Sequence, residues 1–266
     1  MQENLAFAYD SVETENKNKE VIVMYGWRGR IGIIVPSPNT VMEMEFHKML
    51  PKGVAIITNR VRAFEVSVKT FELMESEIEE AAIELADAGV DIIIFGCTLG
   101  SLFKGAGYDE KLSSIIQDKT NVKAITTATA VRLAFRALKL SVISVITPYT
   151  DEMNQKEKSF FEKEGFIVSS IKGLGYTKNL VTGRQYPESV YQFARDNTTK
   201  ANCDGLFISC TDFRTLEIIP LLEKDLDKPV ISSNQASMWM ALRSLKIDDE
   251  HLEQFGRLFK LQLAFE

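Results

Sequence analysis

The chain has 266 residues, of which 45% are hydrophobic and 26% charged, a composition typical of globular proteins with ample core material. Its net charge is −6 and it contains no basic block, which argues against nucleic-acid binding. The longest stretch without a charged side chain, residues 229–242, is too short and too polar to cross a membrane.

The N-terminal residues are polar and acidic and lack the basic-then-apolar pattern of a secretory signal. We therefore expect residues 1–24 to form a flexible extension of a cytoplasmic protein. Three cysteines, Cys97, Cys203 and Cys210, are too few for a disulfide framework in a chain of this length, which favours reduced thiols. Two histidines, neither near a cluster of potential ligands, argue against a zinc site.

Short β-rich runs alternate with helical patterns along the whole chain. The predicted strands are residues 30–36, 54–58, 91–96, 122–125, 141–147, 166–171, 205–209 and 229–232. Several are continuous apolar runs, as expected for parallel strands covered on both faces. Between strands, residues 70–88 place apolar side chains at helical spacing among carboxylates. The alternation predicts an α/β fold.

An internal repeat divides the chain. An aspartate lies six residues before a Cys-Thr pair at Cys97, and the same pattern recurs 113 residues later at Cys210. The first predicted strands of the two halves both end near a proline, with an offset of 112 residues. We therefore expect two pseudo-symmetric lobes, each a parallel four-stranded sheet flanked by helices. Residues 25–139 plus 234–266 would form the first lobe, and residues 140–233 the second.

Both repeated cysteines come directly after a predicted buried strand. The carboxyl ends of parallel strands are where ligands bind in such sheets. A cysteine there lies near backbone N–H groups, which would lower its thiol pKa toward neutrality. A free cysteine is most often a small buried hydrophobe, but two at equivalent positions favour a functional pair. Cys203 has no counterpart in the first half and is interpreted as structural.

Six segments together resemble the aspartate/glutamate racemase superfamily and, within it, the branch of maleate cis–trans isomerases and arylmalonate decarboxylases. They read YGWRGRIG at 25–32, VPSPNT at 35–40, GCTLGS at 96–101, TPY at 147–149, SCT at 209–211 and SNQA at 233–236. The resemblance extends over most of the chain. It implies an Asp/Glu racemase-like fold with an active site between two lobes, a catalytic cysteine pair and no cofactor or metal.

Carried over residue by residue, the resemblance makes Cys97 and Cys210 the catalytic residues. The substrate-binding positions it implies are Asn39, Thr98, Leu99, Tyr149, Asn179 and Thr211. Arylmalonate decarboxylases lack the first-lobe cysteine, so the presence of both favours an isomerase or a racemase. Amino-acid racemases typically have Asp-Ser after the first strand, where this chain has Pro38-Asn39. The residues after Cys210 depart from typical maleate isomerases, since Asp212 could repel a dicarboxylate and Arg214 could attract one.

The expected reaction is a cis–trans isomerisation of a small dicarboxylate, of the maleate-to-fumarate type. A Cys97 thiolate would add to the alkene while Cys210 delivers a proton to the neighbouring carbon. Racemisation of an aspartate- or glutamate-type amino acid and decarboxylation of an arylmalonate are the alternative reactions. A small-molecule binding module is the alternative outside enzymes.

The expected partners are a small dicarboxylate and further copies of the chain, with no nucleic acid and no membrane. The C-terminal segment, residues 248–265, places Leu252, Phe255, Leu258 and Phe259 on one face of a predicted helix. We expect this helix to pack on its own lobe and to leave part of the face for a homodimer or a higher homo-oligomer.

Overall fold

A computed structural model describes residues 25–63, 65–248 and 250–261. The predicted extension, residues 1–24, lies outside the described residues. All eight predicted strands are present, with ends that differ by at most three residues from the predicted ones. They form two separate sheets of four strands each, and every strand pair is parallel. The predicted α/β fold with two four-stranded parallel sheets is confirmed.

The first sheet has the strand order β2-β1-β3-β4. Its strands are β1 (Gly29–Pro36), β2 (Val54–Val61), β3 (Ile92–Phe95) and β4 (Lys123–Thr126). The helices of this half are α1 (Met42–Lys48), α2 (Val68–Asp87), α3 (Thr98–Leu102), α4 (Tyr108–Thr120) and α5 (Thr127–Ala137). The central strands β1 and β3 are almost entirely buried, as expected for strands with helices on both faces.

The second sheet has the equivalent order β6-β5-β7-β8. Its strands are β5 (Val142–Thr147), β6 (Ile167–Gly173), β7 (Gly205–Ile208) and β8 (Val230–Ser232). The helices are α6 (Asp151–Lys163), α7 (Asn179–Gly183), α8 (Pro187–Thr198), α9 (Ile219–Leu226) and α10 (Ser233–Ser244). The chain thus uses one strand order twice.

The repeated aspartates have a structural role that explains their spacing. Asp91 Oδ2 accepts a hydrogen bond of 2.7 Å from the backbone N–H of Arg30, at the start of β1. Asp204 Oδ2 accepts one of 2.8 Å from the N–H of Val142, at the start of β5. Each aspartate therefore ties the start of the strand that precedes a cysteine to the start of the neighbouring strand. This contact helps to set the position of the cysteine at the far end of the strand.

The predicted helix at residues 70–88 is present as α2. Ser67 caps its start by accepting a hydrogen bond from the Thr70 N–H, as a serine at this position commonly does. The five apolar side chains of the predicted stripe are all buried: Phe71, Met74, Ile78, Ala81 and Leu85. Among the helices that the structure describes, none is long and apolar enough to cross a membrane.

Helix α10 joins the two halves. It follows β8 of the second sheet and packs against α5, which follows β4 of the first. Trp239 on α10 is fully buried, and its indole N–H donates to the Leu261 carbonyl at 3.1 Å. This packing agrees with the expected return of the C-terminal residues to the first lobe, although the boundaries at residues 139 and 234 stay a prediction.

The single C-terminal helix expected over residues 248–265 is wrong. Two short 3₁₀ helices, Glu250–Phe255 and Arg257–Lys260, occupy the described part of this segment. They are separated by Gly256, whose φ of 121° is incompatible with a continuous helix. Leu252 and Phe259 are buried within the chain itself, so this face offers little surface for a dimer. A homodimer or higher homo-oligomer stays a prediction.

Candidate active site

One cavity of about 420 Å³, its open mouth included, lies where the first and second sheets end. All eight positions singled out from the sequence line it: Asn39, Cys97, Thr98, Leu99, Tyr149, Asn179, Cys210 and Thr211. The other lining residues are Pro36, Ala63, Glu65, Val66, Phe71, Met74 and Asp212. The structure therefore brings the two repeated cysteines together in a single site. The roles of the eight residues stay a prediction.

Cys97 lies between β3 and α3 and is the N-cap residue of that helix. Its backbone is extended, with φ −141°, and its Sγ accepts a hydrogen bond of 3.3 Å from the Gly100 N–H. Only 8% of the residue is exposed. Burial raises the pKa of the Cys97 thiol to about 12, and the Gly100 N–H offsets only part of this effect. The expectation that the strand end lowers the thiol pKa toward neutrality is therefore wrong, because desolvation outweighs the N–H group.

Cys210 occupies the equivalent position after β7 but has a different backbone conformation. Its φ is +102°, a region that residues other than glycine rarely adopt. Its Sγ accepts a hydrogen bond of 3.4 Å from the Asp212 N–H. Burial raises the pKa of the Cys210 thiol well above its ordinary value, and the nearby Asp212 carboxylate raises it further. The two cysteines are thus not equivalent, although the repeat places them alike.

Tyr149, which follows β5, touches the second cysteine. The residue is 4% exposed, and its hydroxyl lies close enough to the Cys210 thiol for the two side chains to share a hydrogen bond. Burial and the proximity of Cys210 raise the pKa of Tyr149 well above its ordinary value. The phenol is therefore a neutral hydrogen-bond donor at the thiol.

Asn39 connects the two halves through the cavity wall. Its Oδ1 accepts hydrogen bonds from the N–H groups of Val41 and Met42, at 3.1 and 3.0 Å, at the start of α1. Its Nδ2 donates to Thr211 Oγ1 at 3.0 Å, and the Thr211 hydroxyl donates in turn to the Gly96 carbonyl. The capping role considered from the sequence is present, and a second N–H of the same amide is left for a ligand.

Ser233, at the start of α10, connects the residues beside the two cysteines. Its Oγ accepts a hydrogen bond of 2.9 Å from the Thr98 hydroxyl and one of 3.1 Å from the Cys210 backbone N–H. The Thr98 side chain is therefore engaged within the protein, which leaves its backbone N–H for a ligand. Leu99 follows in the same first turn of α3, where N–H groups have no partner within the helix.

Two loops meet across the mouth of the cavity. The N–H of Val66, in the loop after β2, donates to the Thr177 carbonyl, in the loop after β6, at 3.1 Å. Asn179 lies just beyond, as the first residue of α7, and is partly exposed. Asn179 and Cys210 are the two of the eight predicted residues that are not fully buried.

The charged side chains that line the cavity, Glu65 and Asp212, are both acidic. Asp212 is 5% exposed, and its Oδ1 accepts hydrogen bonds from the N–H and hydroxyl of Thr40. Burial raises the pKa of Asp212 to about 7, although the Thr40 hydrogen bonds lower it. The described lining of the cavity therefore offers an anionic ligand neutral donors rather than a basic side chain. Within the described residues, no group of three or more potential ligands is placed to hold a metal ion.

Sequence reasoning missed two buried carboxylates near the site. Glu45 on α1 contacts the loop after Cys210, and Glu157 on α6 lies behind Tyr149. A signal for Glu45 was present, because it shares helical spacing with Met42 and Phe46 on the buried face of α1. On the same helix His47 is exposed, whereas Glu45 is buried.

The two α/β halves have the same strand order, and each contributes one cysteine to a shared cavity. This is the architecture of proteins with an Asp/Glu racemase-like fold. The family model described as "Arylmalonate decarboxylase" matches residues 31–259. The chain belongs to the arylmalonate decarboxylase family, in agreement with the resemblance stated from the sequence.

The chain is similar to maleate isomerases in both sequence and structure. The chain is 29% identical over 232 residues to a maleate isomerase of Geobacillus stearothermophilus, which covers 82% of this chain and 92% of that protein. The solved structure of a Nocardia farcinica maleate cis–trans isomerase is 26% identical, with a TM-score of 0.83, over 87% of this chain and 97% of that chain. A cysteine-to-serine variant of that isomerase, at 25% identity and a TM-score of 0.82, carries a covalently bound succinylcysteine intermediate and covers 87% and 98%.

Proposed function

We propose that this protein is a cofactor-independent cis–trans isomerase of a small cis-enedioate of the maleate type, and that Cys97 and Cys210 act as its catalytic pair. The observation that carries the proposal is the meeting of two thiols, one from each half, in a single cavity, where Cys97 is buried and Cys210 is partly exposed. The similarity to maleate isomerases supports it. A family member with a succinylcysteine intermediate supports a covalent route through cysteine.

The reaction has two balanced steps. In the first, the Cys97 thiolate forms a carbon–sulfur bond with one alkene carbon, and the Cys210 thiol gives its proton to the other alkene carbon. The product is a succinyl thioether in which the former double bond is single and rotates. In the second, the Cys210 thiolate takes a proton from the same carbon, the double bond re-forms and the carbon–sulfur bond breaks. The trans-enedioate leaves, Cys97 is again a thiolate and Cys210 is again a thiol.

The electrostatics favour this division of labour. Burial and the Asp212 carboxylate raise the pKa of Cys210, and a negative charge on Cys97 raises it further. Once Cys97 is a thiolate, Cys210 therefore stays protonated and serves as the acid. The Tyr149 hydroxyl stabilises the Cys210 thiolate formed after proton transfer, because it donates a hydrogen bond to that sulfur.

Neutral donors would stabilise the charge that develops on the substrate. Attack on the alkene moves electron density onto the neighbouring carboxylate, which needs hydrogen-bond donors in place before the reaction. Four residues that line the cavity could supply these donors: Thr98 and Leu99 through their backbone N–H groups, and Asn39 and Asn179 through their side-chain amides. The carboxylate groups of the substrate would be held in the same way.

Two other reactions suit the same residues less well. Two facing thiols could also remove and return an α-proton in an amino-acid racemase, with Asp212 or Glu65 beside the ammonium group, but the similarity is to maleate isomerases. An arylmalonate decarboxylase-type reaction requires a single cysteine and leaves Cys97 without a role. A small-molecule binding module would need neither thiol.

The test is a proton NMR time course in deuterated buffer with maleate, aspartate, glutamate and a substituted malonate as separate substrates. The proposal expects the alkene signal of fumarate to appear from maleate and to be lost in both Cys97→Ala and Cys210→Ala. Deuterium at an α-carbon would indicate a racemase, and loss of carbon dioxide a decarboxylase. Maleate left unchanged by a folded protein would contradict the proposal.

A further inference from the structure

Glu45 is a buried carboxylate of the first half that supports the loop carrying Cys210 in the second. It lies on α1 and is 3% exposed. Its Oε1 accepts hydrogen bonds from the backbone N–H groups of Thr215 at 2.6 Å and Leu216 at 2.9 Å. These two residues lie in the loop that follows Cys210. A carboxylate is suited to this place because it offers several acceptor positions to converging donors.

A second contact brings Glu45 closer to the cysteine. The Asn234 amide nitrogen donates to Glu45 Oε2 at 2.7 Å and to the Thr211 carbonyl at 3.0 Å. Thr211 is the residue directly after Cys210. The carboxylate therefore holds this loop at two places. It holds residue 211 through Asn234, and it holds residues 215–216 directly.

The conformation of Cys210 gives these contacts a purpose. With φ +102°, this residue occupies backbone space that is strained for a residue other than glycine. Such a conformation persists only where the surroundings fix it from several sides. Here the Cys210 N–H is held by Ser233, while the residues that follow are held by Glu45 and Asn234.

We infer that Glu45 is a positioning residue, which keeps Cys210 in its strained conformation and so aims the thiol into the cavity toward Cys97. The effect on turnover rests on the proposed isomerase function, whereas the effect on the Cys210 thiol does not. Glu45 hydrogen-bonds to Thr215, Leu216 and Asn234, none of which lines the cavity. Its influence is therefore on geometry.

The test variant is Glu45→Gln, which keeps the shape of the side chain but replaces one acceptor oxygen by an N–H₂ group that faces donors. Glu223→Gln is the matched control. Glu223 is also a buried glutamate that accepts backbone hydrogen bonds, from Val230 and Arg257, but it lies outside the cavity lining. Both variants should lose stability to a similar degree, because each leaves buried donors unpaired.

Two readouts separate positioning from support of the fold. With maleate as substrate, Glu45→Gln should lower kcat about 10- to 100-fold, as a small displacement of a catalytic group does, with KM nearly unchanged. Glu223→Gln should leave kcat at the wild-type value. Without substrate, the ratio of alkylation rates of Cys210 and Cys97 by iodoacetamide should change in Glu45→Gln alone, as peptide mass spectrometry would show.

The alkylation ratio keeps the inference separate from the proposed function. If the wild-type protein isomerises nothing but the ratio changes in Glu45→Gln alone, the function fails and the positioning role stands. If both variants lose stability while kcat and the ratio stay at wild-type values, the positioning role is overturned. Should Glu45→Gln fail to fold, Glu45→Asp keeps the charge and shortens the reach. A wild-type alkylation ratio in that variant would overturn the inference equally.

Discussion

At the scale of single residues, the two cysteines differ most in their backbones. Cys210 has φ +102° and Cys97 φ −141°. Backbone strain at a functional residue is offset by stabilising contacts elsewhere in the fold. A substitution that removes the strain stabilises the protein, even where it abolishes function. Because of this difference, we expect replacement by glycine and replacement by alanine to rank in opposite order of stability at the two positions.

At position 210, Cys210→Gly should be more stable than Cys210→Ala by about 1 kcal/mol, because glycine adopts a positive φ without a steric cost. At position 97, Cys97→Ala should instead be more stable than Cys97→Gly by roughly 0.5–1 kcal/mol, because glycine only adds freedom to the unfolded chain. Urea unfolding of the four variants measures both differences. The same order of stability at both positions would show that Cys210 is not strained.

Asp212 should make substrate binding depend on pH. Its pKa is raised to about 7, so the carboxyl group is neutral below this pH and negatively charged above it. A doubly charged substrate is then repelled, and KM for maleate should rise by about tenfold as the pH increases through this range, for roughly 1.4 kcal/mol of repulsion. The ratio of KM in wild type to KM in Asp212→Asn, measured across the pH range, isolates this effect from the titration of the thiols.

The expected ratio is near its lowest value in acid and rises on the alkaline side. A ratio that stays constant with pH would mean that Asp212 does not ionise beside the substrate. The sequence raised this repulsion as a possibility, but the burial of the carboxyl group, which determines the pH at which it acts, required the structure.

At the scale of elements, α7 is fitted closely against the first half. A Cβ atom at Gly183, the last residue of α7, would lie 2.6 Å from Thr40 Oγ1 and 2.9 Å from Asp212 Oδ1. Contacts this short cannot be accommodated without movement, and overpacking of this kind costs about 1–3 kcal/mol. Gly183 thus allows α7 to approach the turn after β1.

Gly183→Ala should therefore displace α7 and, with it, Asn179 at the other end of this short helix. We expect KM for maleate to rise several-fold, while kcat changes less because neither cysteine is moved. Leu180→Ala is the control, since Leu180 is on the same helix and 50% exposed. Steady-state kinetics of the two variants provide the comparison. Equal KM values would show that the position of α7 has no part in substrate binding.

The elements also show what the sequence can and cannot predict. Strands such as β3 were predicted closely because continuous apolar runs have one stable place in a covered parallel sheet. The C-terminal segment was predicted wrongly, since its apolar spacing suits a helix and the break at Gly256 depends on local backbone conformation. The spacing of apolar residues indicates which face of an element is buried, but it does not indicate where the backbone turns.

At the scale of the whole molecule, the site is also the junction between the halves. Asn39 donates to Thr211, and the Thr98 hydroxyl donates to Ser233, in each case from the first half to the second. The residues of the site could be listed from the repeat and the family motifs because they follow strand ends. The hydrogen bonds between them could not, because they depend on how two separately folded sheets face each other.

The pKa values of the two thiols also depend on the whole molecule. A cysteine at a strand end was expected to ionise easily, yet enclosure by both halves raises the pKa of Cys97 to about 12. Burial is a property of the assembled molecule, and one half seen alone does not reveal it. The reactive Cys97 thiolate is therefore a minor species at neutral pH, which the substrate would trap.

The most direct test of the two-cysteine account is to trap the addition product on Cys97. In Cys210→Ser, the weak serine base should be unable to remove the proton needed for elimination. After incubation with maleate, peptide mass spectrometry should therefore find one succinyl group on the peptide that contains Cys97. Cys203→Ser, at a buried cysteine outside the cavity lining, should instead turn over normally and accumulate no adduct. A folded Cys210→Ser without an adduct on Cys97, together with a Cys97→Ala variant that still isomerises maleate, would contradict the account.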